Sequence, residues 1–222
     1  MKELDRKTHW ENAWSLRPSE SLSWYQSVPE RSLAMIRQAG IRPGDAIIDV
    51  GAGDSVLAEQ LLVQGFNDLT VLDVSRRALD RARRRLGQRA EDLCWIEADV
   101  TQFGPTRRYA VWHDRAVFHF LVSAADRSRY VAVLDRALAP GGQAIIASFA
   151  LDGPERCSGL PIVRYGADSL DATLGTAWRV IEECREVHET PGGAEQNFSY
   201  FRIVRTTAEP VDSHQQPHGV NL

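Results

Sequence analysis

The segment Ile47-Ile48-Asp49-Val50-Gly51-Ala52-Gly53-Asp54-Ser55 constrains the fold more than any other stretch, because an apolar strand there breaks into a glycine turn that opens a helix. Gly51 and Gly53 give the backbone angles closed to other residues and leave no Cβ in the way of a ligand. A helix starting near Ser55 offers unpaired N–H groups to a polar or negative ligand. Such a turn suits a nucleotide-like ligand, although tight strand–helix turns also form for purely structural reasons.

Strand and helix patterns alternate through the rest of the chain, which predicts a parallel sheet covered on both faces. Helices are expected over residues 27–40, 55–65, 75–86, 126–138 and 168–174, with Ser75 as an N-cap and a stripe of Leu79, Ala82 and Leu86 in the third. The Arg83-Arg84-Arg85 run then lies mostly on that helix's solvated face. Strands are expected over 47–50, 69–73, 94–98, 109–114 and 143–150, and segments 178–188 and 196–205 read as a terminal hairpin around Pro191-Gly192-Gly193. The fold class is therefore α/β, a Rossmann-like doubly wound seven-stranded, mostly parallel sheet with a C-terminal antiparallel hairpin. The Gly- and Pro-containing loop over 151–165 is long enough to suggest a functional role.

Acidic residues at successive strand ends sharpen the ligand. Leu69-Thr70-Val71-Leu72-Asp73 ends in a carboxylate at the crevice where open α/β sheets bind ligands, placed to accept from both hydroxyls of a ribose. Cys94-Trp95-Ile96-Glu97-Ala98 runs into Asp99-Val100, suited to an exocyclic adenine amine. A single acid after a strand is usually a cap or a solvated loop residue; several strand ends in register are harder to explain that way. A dinucleotide turn would read G-x-G-x-x-G, and Val56 stands where the third glycine belongs.

In these motifs the chain resembles the class I S-adenosylmethionine-dependent methyltransferases. Asp49-Val50-Gly51-Ala52-Gly53 matches their first motif, Val71-Leu72-Asp73 the second, Glu97-Ala98-Asp99-Val100 the third, and Leu138-Ala139-Pro140-Gly141-Gly142 the turn before their fifth strand. The resemblance covers roughly residues 28–206. It implies S-adenosyl-L-methionine as cofactor, held by Asp49, Gly51, Ala52, Gly53, Asp73, Val74, Asp99 and Val100. It implies a domain over 28–206; the aromatic-rich segment over 1–27 that precedes it reads as a lid, and the polar tail over 207–222, with two prolines, as disordered.

The chemistry is expected after the fourth strand, in Trp112-His113-Asp114-Arg115-Ala116-Val117-Phe118-His119-Phe120. Methyl transfer needs an aligned acceptor whose proton is removed or accommodated. His113, Asp114 and His119 are the candidate catalytic groups, though Asp114 can equally cap the following helix and His119 can pack as a half-buried aromatic. Trp24, Tyr25, Arg115, Phe118 and Arg156 are candidates for the acceptor side, with Arg156 an anchor for an acidic substrate group. His9-Trp10-Glu11-Asn12-Ala13-Trp14 and Ser23-Trp24-Tyr25-Gln26 read as a lid that excludes water, or as a helix packed on the sheet edge. The [Asp/Asn/Ser]-Pro-Pro-aromatic signature of enzymes acting on planar amide or base nitrogens is absent from this position. The His113-Asp114-Arg115 and Glu155-Arg156-Cys157-Ser158-Gly159 segments resemble a bacterial branch of mostly unassigned substrate, distantly similar to eukaryotic protein-lysine methyltransferases with Asp-Lys-Gly-Thr after strand four. Arg115 and Ala116 replace that Lys and Gly.

Composition sets bounds. At 222 residues and 43% hydrophobic, the chain fits one domain with a sizeable core. A net charge of −4 gives no reason to expect nucleic-acid affinity, and no apolar run is long enough to span a membrane. Cys94, Cys157 and Cys184 are odd in number and scattered, which fits a reducing, cytoplasmic setting and no metal cluster. The expected acceptor is the nucleophilic N, S or O of a small molecule, or alternatively a protein lysine. A sensor that binds the cofactor without turnover and an NAD-dependent oxidoreductase stand as readings from other classes.

Overall fold

In the computed structural model, residues 5–16 and 18–206 are described; the expected tail over 207–222 and residues 1–4 of the expected lid segment lie outside the described residues. The chain runs through α1 (Arg6–Leu16), α2 (Glu30–Gln38), β1 (Ile47–Val50), α3 (Leu57–Val63), β2 (Leu69–Asp73), α4 (Arg76–Leu86) and β3 (Leu93–Glu97). It continues with β4 (Tyr109–Arg115), α5 (Ala124–Ala137), β5 (Leu138–Phe149), β6 (Arg156–Cys157), β7 (Leu160–Pro161), α6 (Ala167–Leu174), β8 (Trp178–Glu189) and β9 (Glu195–Arg205).

Seven strands form one sheet in the order β3-β2-β1-β4-β5-β9-β8. β1 to β5 pair in parallel, whereas β9 runs antiparallel to both β5 and β8. The chain reverses its direction across the sheet between β1 and β4, and open α/β sheets bind ligands at that switch point. β1 and β2 are buried at every residue, the pattern of strands covered on both faces.

Helices α2, α3 and α4 cover one face through Leu33, Ile36, Leu57, Leu61 and Leu79, and α5 and α6 cover the other through Tyr130, Leu134, Leu170 and Leu174. In α4 the Ser75 hydroxyl accepts from Ala78 N–H at 3.2 Å, and Leu79, Ala82 and Leu86 are buried as the stripe predicts. Arg85 departs from the solvated face and pairs back with Asp54 on the glycine turn. α2 starts later than residue 27, because Pro29 sits at its N-cap with a non-helical ψ of 66°. β5 begins five residues earlier than expected, at Leu138, with a register irregularity against β4. Gly142 belongs to that approach: a Cβ there would lie 3.0 Å from three backbone carbonyl oxygens. The 151–165 loop contains the small β6–β7 ribbon, a hairpin too short to show as periodicity.

Candidate functional site

Strand alternation decides where the post-β4 residues go. Successive side chains of β4 point to opposite faces, so Trp112 and Asp114 meet α5 while Val111 and His113 meet α2. Asp49 pairs in register with His113 across β1 and β4 and shares its face. His113 Nδ1 lies 2.7 Å from Asp49 Oδ1, and its Nε2 lies 2.9 Å from the Ser32 hydroxyl on α2. All three are buried, forming a continuous Ser32–His113–Asp49 chain.

On the opposite face Asp114 accepts from the Tyr130 hydroxyl at 2.6 Å and from the Val117 and Phe118 N–H groups. Burial pushes its pKa up to about 6 against the lowering effect of these donors. It buttresses the sharp turn at Ala116, a non-glycine residue with φ 68°. That turn sends Arg115 and Val117 toward the crevice. The one-turn helix Phe118–Phe120 then points Phe118 into the core against Tyr130 and Tyr165. His119 packs between Phe120 and Phe149, fully buried with neither ring nitrogen hydrogen-bonded. Burial, reinforced by the nearby Arg115 charge, lowers its pKa to about 3, so it stays neutral near pH 7.

A two-lobed cleft sits at the switch point. The first lobe, about 810 Å³ with its open mouth included, is lined by Asp73, Val74, Ala98, Asp99 and Val100 from the β2 and β3 ends, and by Val117, Phe120, Leu121 and Cys157. The second, about 630 Å³, is lined by Asp49, Ala52, Gly53, Ser55, His113, Ser32 and Tyr25. Gly51, Trp14, Trp24 and Arg115 line both. Thus all eight residues expected to hold the cofactor surround the cleft, together with Trp24, Tyr25, Arg115 and His113. Asp114, His119 and Phe118 line neither lobe, and Arg156 is exposed and turned back onto the Gly159 carbonyl. Asp114, His119 and Phe118 sit on faces that the core claims, and the β6–β7 ribbon turns Arg156 out to solvent.

The lobes fit an adenosine-bearing ligand. Asp73 accepts from Gly53 N–H at 2.8 Å and from Ser75 N–H at 2.7 Å, which leaves two of a carboxylate's roughly four acceptor positions unused. Its pKa rises to about 6, chiefly through desolvation. Gly51 and Gly53 have φ of 61° and 59°. A Cβ on Gly51 would overlap Val117 Cγ2, and one on Gly53 would lie 2.5 Å from Trp14 Cζ2. The cradle therefore accepts only glycine at both positions.

α1 covers the crevice. Trp10, Trp14 and Trp24 pack edge to face with centroids 5.9 and 6.1 Å apart, and Trp10 also meets Phe120 at 5.0 Å. Arg6 pairs with Asp99 at 3.1 Å and with Asp126, and Lys7 pairs with Glu97 at 2.5 Å. Glu11 accepts from Arg76 N–H at 2.8 Å. Nothing in the local pattern of Arg6 or Ser32 marks either for the site, and no periodicity singles out Val117 and Phe120 within the segment after β4. Cys157 lines the first lobe, and burial raises its thiol to about 11, which keeps it protonated near neutral pH.

Residues 47–142 match the family described as "Methyltransferase domain". The chain is 29% identical over 152 residues to an eEF1A lysine and N-terminal methyltransferase of Danio rerio, covering 67% of this chain and 22% of the relative. It thus spans about a fifth of that relative's length. Among solved structures, one described by the conversion of a disulfide bond into a thioacetal group during echinomycin biosynthesis superposes with a TM-score of 0.73 at 19% identity, covering 90% of this chain and 92% of that one. The N-methyltransferase NodS from Bradyrhizobium japonicum, in complex with S-adenosylhomocysteine, superposes with a TM-score of 0.66 at 20% identity, over 89% of this chain and 98% of that one. At these identities the structures speak for the fold. Among the described residues no helix is long and apolar enough to cross a membrane.

Proposed function

We propose that the chain is a class I S-adenosylmethionine-dependent methyltransferase and that it methylates a nitrogen or sulfur atom of a small molecule bound beneath the tryptophan cap. Asp73 would take the ribose hydroxyls, Asp99, Val74 and Val100 the adenine, and Asp49 with the Gly51–Gly53 turn the methionine end. When bound, S-adenosylmethionine supplies a methyl group on an activated sulfonium carbon. The chain's own part is to hold the acceptor in line and keep water out. α1 and the three tryptophans exclude water. Asp114 fixes the Ala116 turn, which sets where Arg115 and Val117 stand.

Among the described residues no side chain presents an unengaged base to the junction of the lobes: His113 is held on both nitrogens, and His119 and Asp114 lie in the core. An acceptor that enters with a lone pair already available, a neutral amine or a sulfur, suits such a site best.

Arg115 is the single observation that favours a small molecule over a protein lysine. Among the described residues it is the one charged side chain lining both lobes. A guanidinium there suits an acceptor that carries its own acid group, which a lysine side chain lacks. The name of the Danio rerio relative keeps a protein amine as the second reading. Incubation with cofactor labelled in its methyl group, followed by separate counting of the small-molecule and protein fractions of an extract, tests the two. Label in protein alone would reject the proposal, and binding without any transfer would favour a sensor.

A further inference from the structure

Resting on that reading, we propose that Arg115 is the carboxylate receptor of the cleft, its free Nη2 edge pairing with an acid group of a bound ligand. Three sides of the guanidinium are already fixed. Nε donates to the Tyr200 hydroxyl at 2.9 Å, Nη1 donates to the Trp24 carbonyl at 2.9 Å, and the flat face lies 5.0 Å over Phe198. Nη2 is buried and has no hydrogen-bond partner. Among the described residues no carboxylate comes within ion-pair distance of Arg115. Glu186 reaches it only through the Tyr200 hydroxyl, on which it accepts at 2.9 Å.

A half-buried cation with a buried, unpaired donor is costly, and native structures pair such groups or aim them at a ligand. The other groups around Arg115 do not supply the missing charge. His119 and His188 are both held toward their neutral forms, the thiol of Cys157 stays protonated, and Tyr200 is pushed up to about 12. Arg115 lines both lobes, so its guanidinium stands beside their junction. Guanidinium donors match a carboxylate well and hold it by a charge-assisted hydrogen bond. The fixed Nε and Nη1 pre-organise the side chain, so little rotamer freedom is lost on binding.

A carboxylate at this junction can come from the acceptor or from the methionine end of the cofactor, and the two sources separate experimentally. Arg115→Met keeps the stem over Phe198 and removes the fork. Affinities of the full chain and the variant are measured for S-adenosylhomocysteine, for 5′-methylthioadenosine, which lacks the amino-acid end, and for benzoate against benzamide on S-adenosylhomocysteine-saturated protein. If the cofactor provides the carboxylate, the variant loses S-adenosylhomocysteine affinity by about tenfold or more while 5′-methylthioadenosine is unchanged. If the acceptor provides it, cofactor affinity stays within about twofold and the preference for benzoate over benzamide disappears. A folded variant with both measurements unchanged overturns the proposal. Should Arg115→Met fail to fold, Arg115→Gln is read the same way, because it too removes both the positive charge and the fork. Failure of S-adenosylhomocysteine to bind the unaltered chain would instead sink the methyltransferase reading. Benzoate against benzamide, tested then on the free protein, still decides the role of Arg115.

Discussion

Replacing Asp73 by asparagine separates what this carboxylate does for the fold from what it does for the ligand. Its pKa of about 6 means that burial disfavours the charge despite two N–H donors. With the folded value raised above the unfolded one, the penalty is absent below about pH 4 and grows as pH rises toward 6. Above that it stays constant, at roughly 3 kcal/mol for a shift of about two units. Asparagine removes that penalty but leaves one of the two N–H groups without an acceptor, at ~1–3 kcal/mol. The two terms nearly cancel, so thermal stability at pH 7.5 should change little. Affinity should not escape so lightly. Two hydroxyl-to-carboxylate bonds become weaker neutral ones, which predicts a loss on the order of 100-fold for S-adenosylhomocysteine. Acidification of the unaltered chain has a related effect. The ionised fraction of Asp73 falls from about 97% at pH 7.5 to about 9% at pH 5, so affinity should fall roughly tenfold across that range. Titration calorimetry at both pH values measures each number. An Asp73→Asn variant that keeps its affinity, or the same pH dependence as the parent, would refute the assignment.

Three further outcomes follow from the geometry. Gly51→Ala should cost ~1–2 kcal/mol for the left-handed backbone plus ~1–3 for overlap with Val117, and only the first part in a Val117→Ala background, as read by urea unfolding. Equal costs in the two backgrounds would contradict the close approach. His119→Leu should stabilise the chain or leave it unchanged, with cofactor affinity within about twofold, because it removes two unpartnered buried nitrogens away from the cleft. Since the folded histidine titrates near 3, below its unfolded value, the parent should also lose stability as pH falls below about 6.5, and the variant should lose less. Arg6→Ala should speed S-adenosylhomocysteine release several-fold by stopped-flow tryptophan fluorescence, since it unties α1 from Asp99 and Asp126; high salt should do the same to the parent.

The sequence makes the ligand side of this protein far more legible than the acceptor side, for a physical reason. Asp49, Gly51, Gly53, Asp73 and Asp99 sit at ends of parallel strands, and a parallel sheet brings such ends to one edge whatever the packing elsewhere. The residues after β4 obey a subtler rule. A single left-handed residue, Ala116, and one turn of 3₁₀ helix decide that Phe120 faces the cleft while Phe118 and His119 enter the core. No periodicity runs long enough there to reveal it. Arg156 was misplaced for a similar reason: a two-residue ribbon turns it outward and brings Cys157 in. Ser32 illustrates a third kind of gap. Its partnership with His113 crosses 81 positions and depends on which face of α2 meets β4.

The most direct measurement is methyl transfer itself, followed with cofactor labelled in the methyl group and an extract split into small-molecule and protein fractions. Label should appear in a small molecule, formed at a rate that collapses in Asp73→Asn and is retained in His119→Leu. Label confined to protein, or a rate indifferent to Asp73, would contradict it.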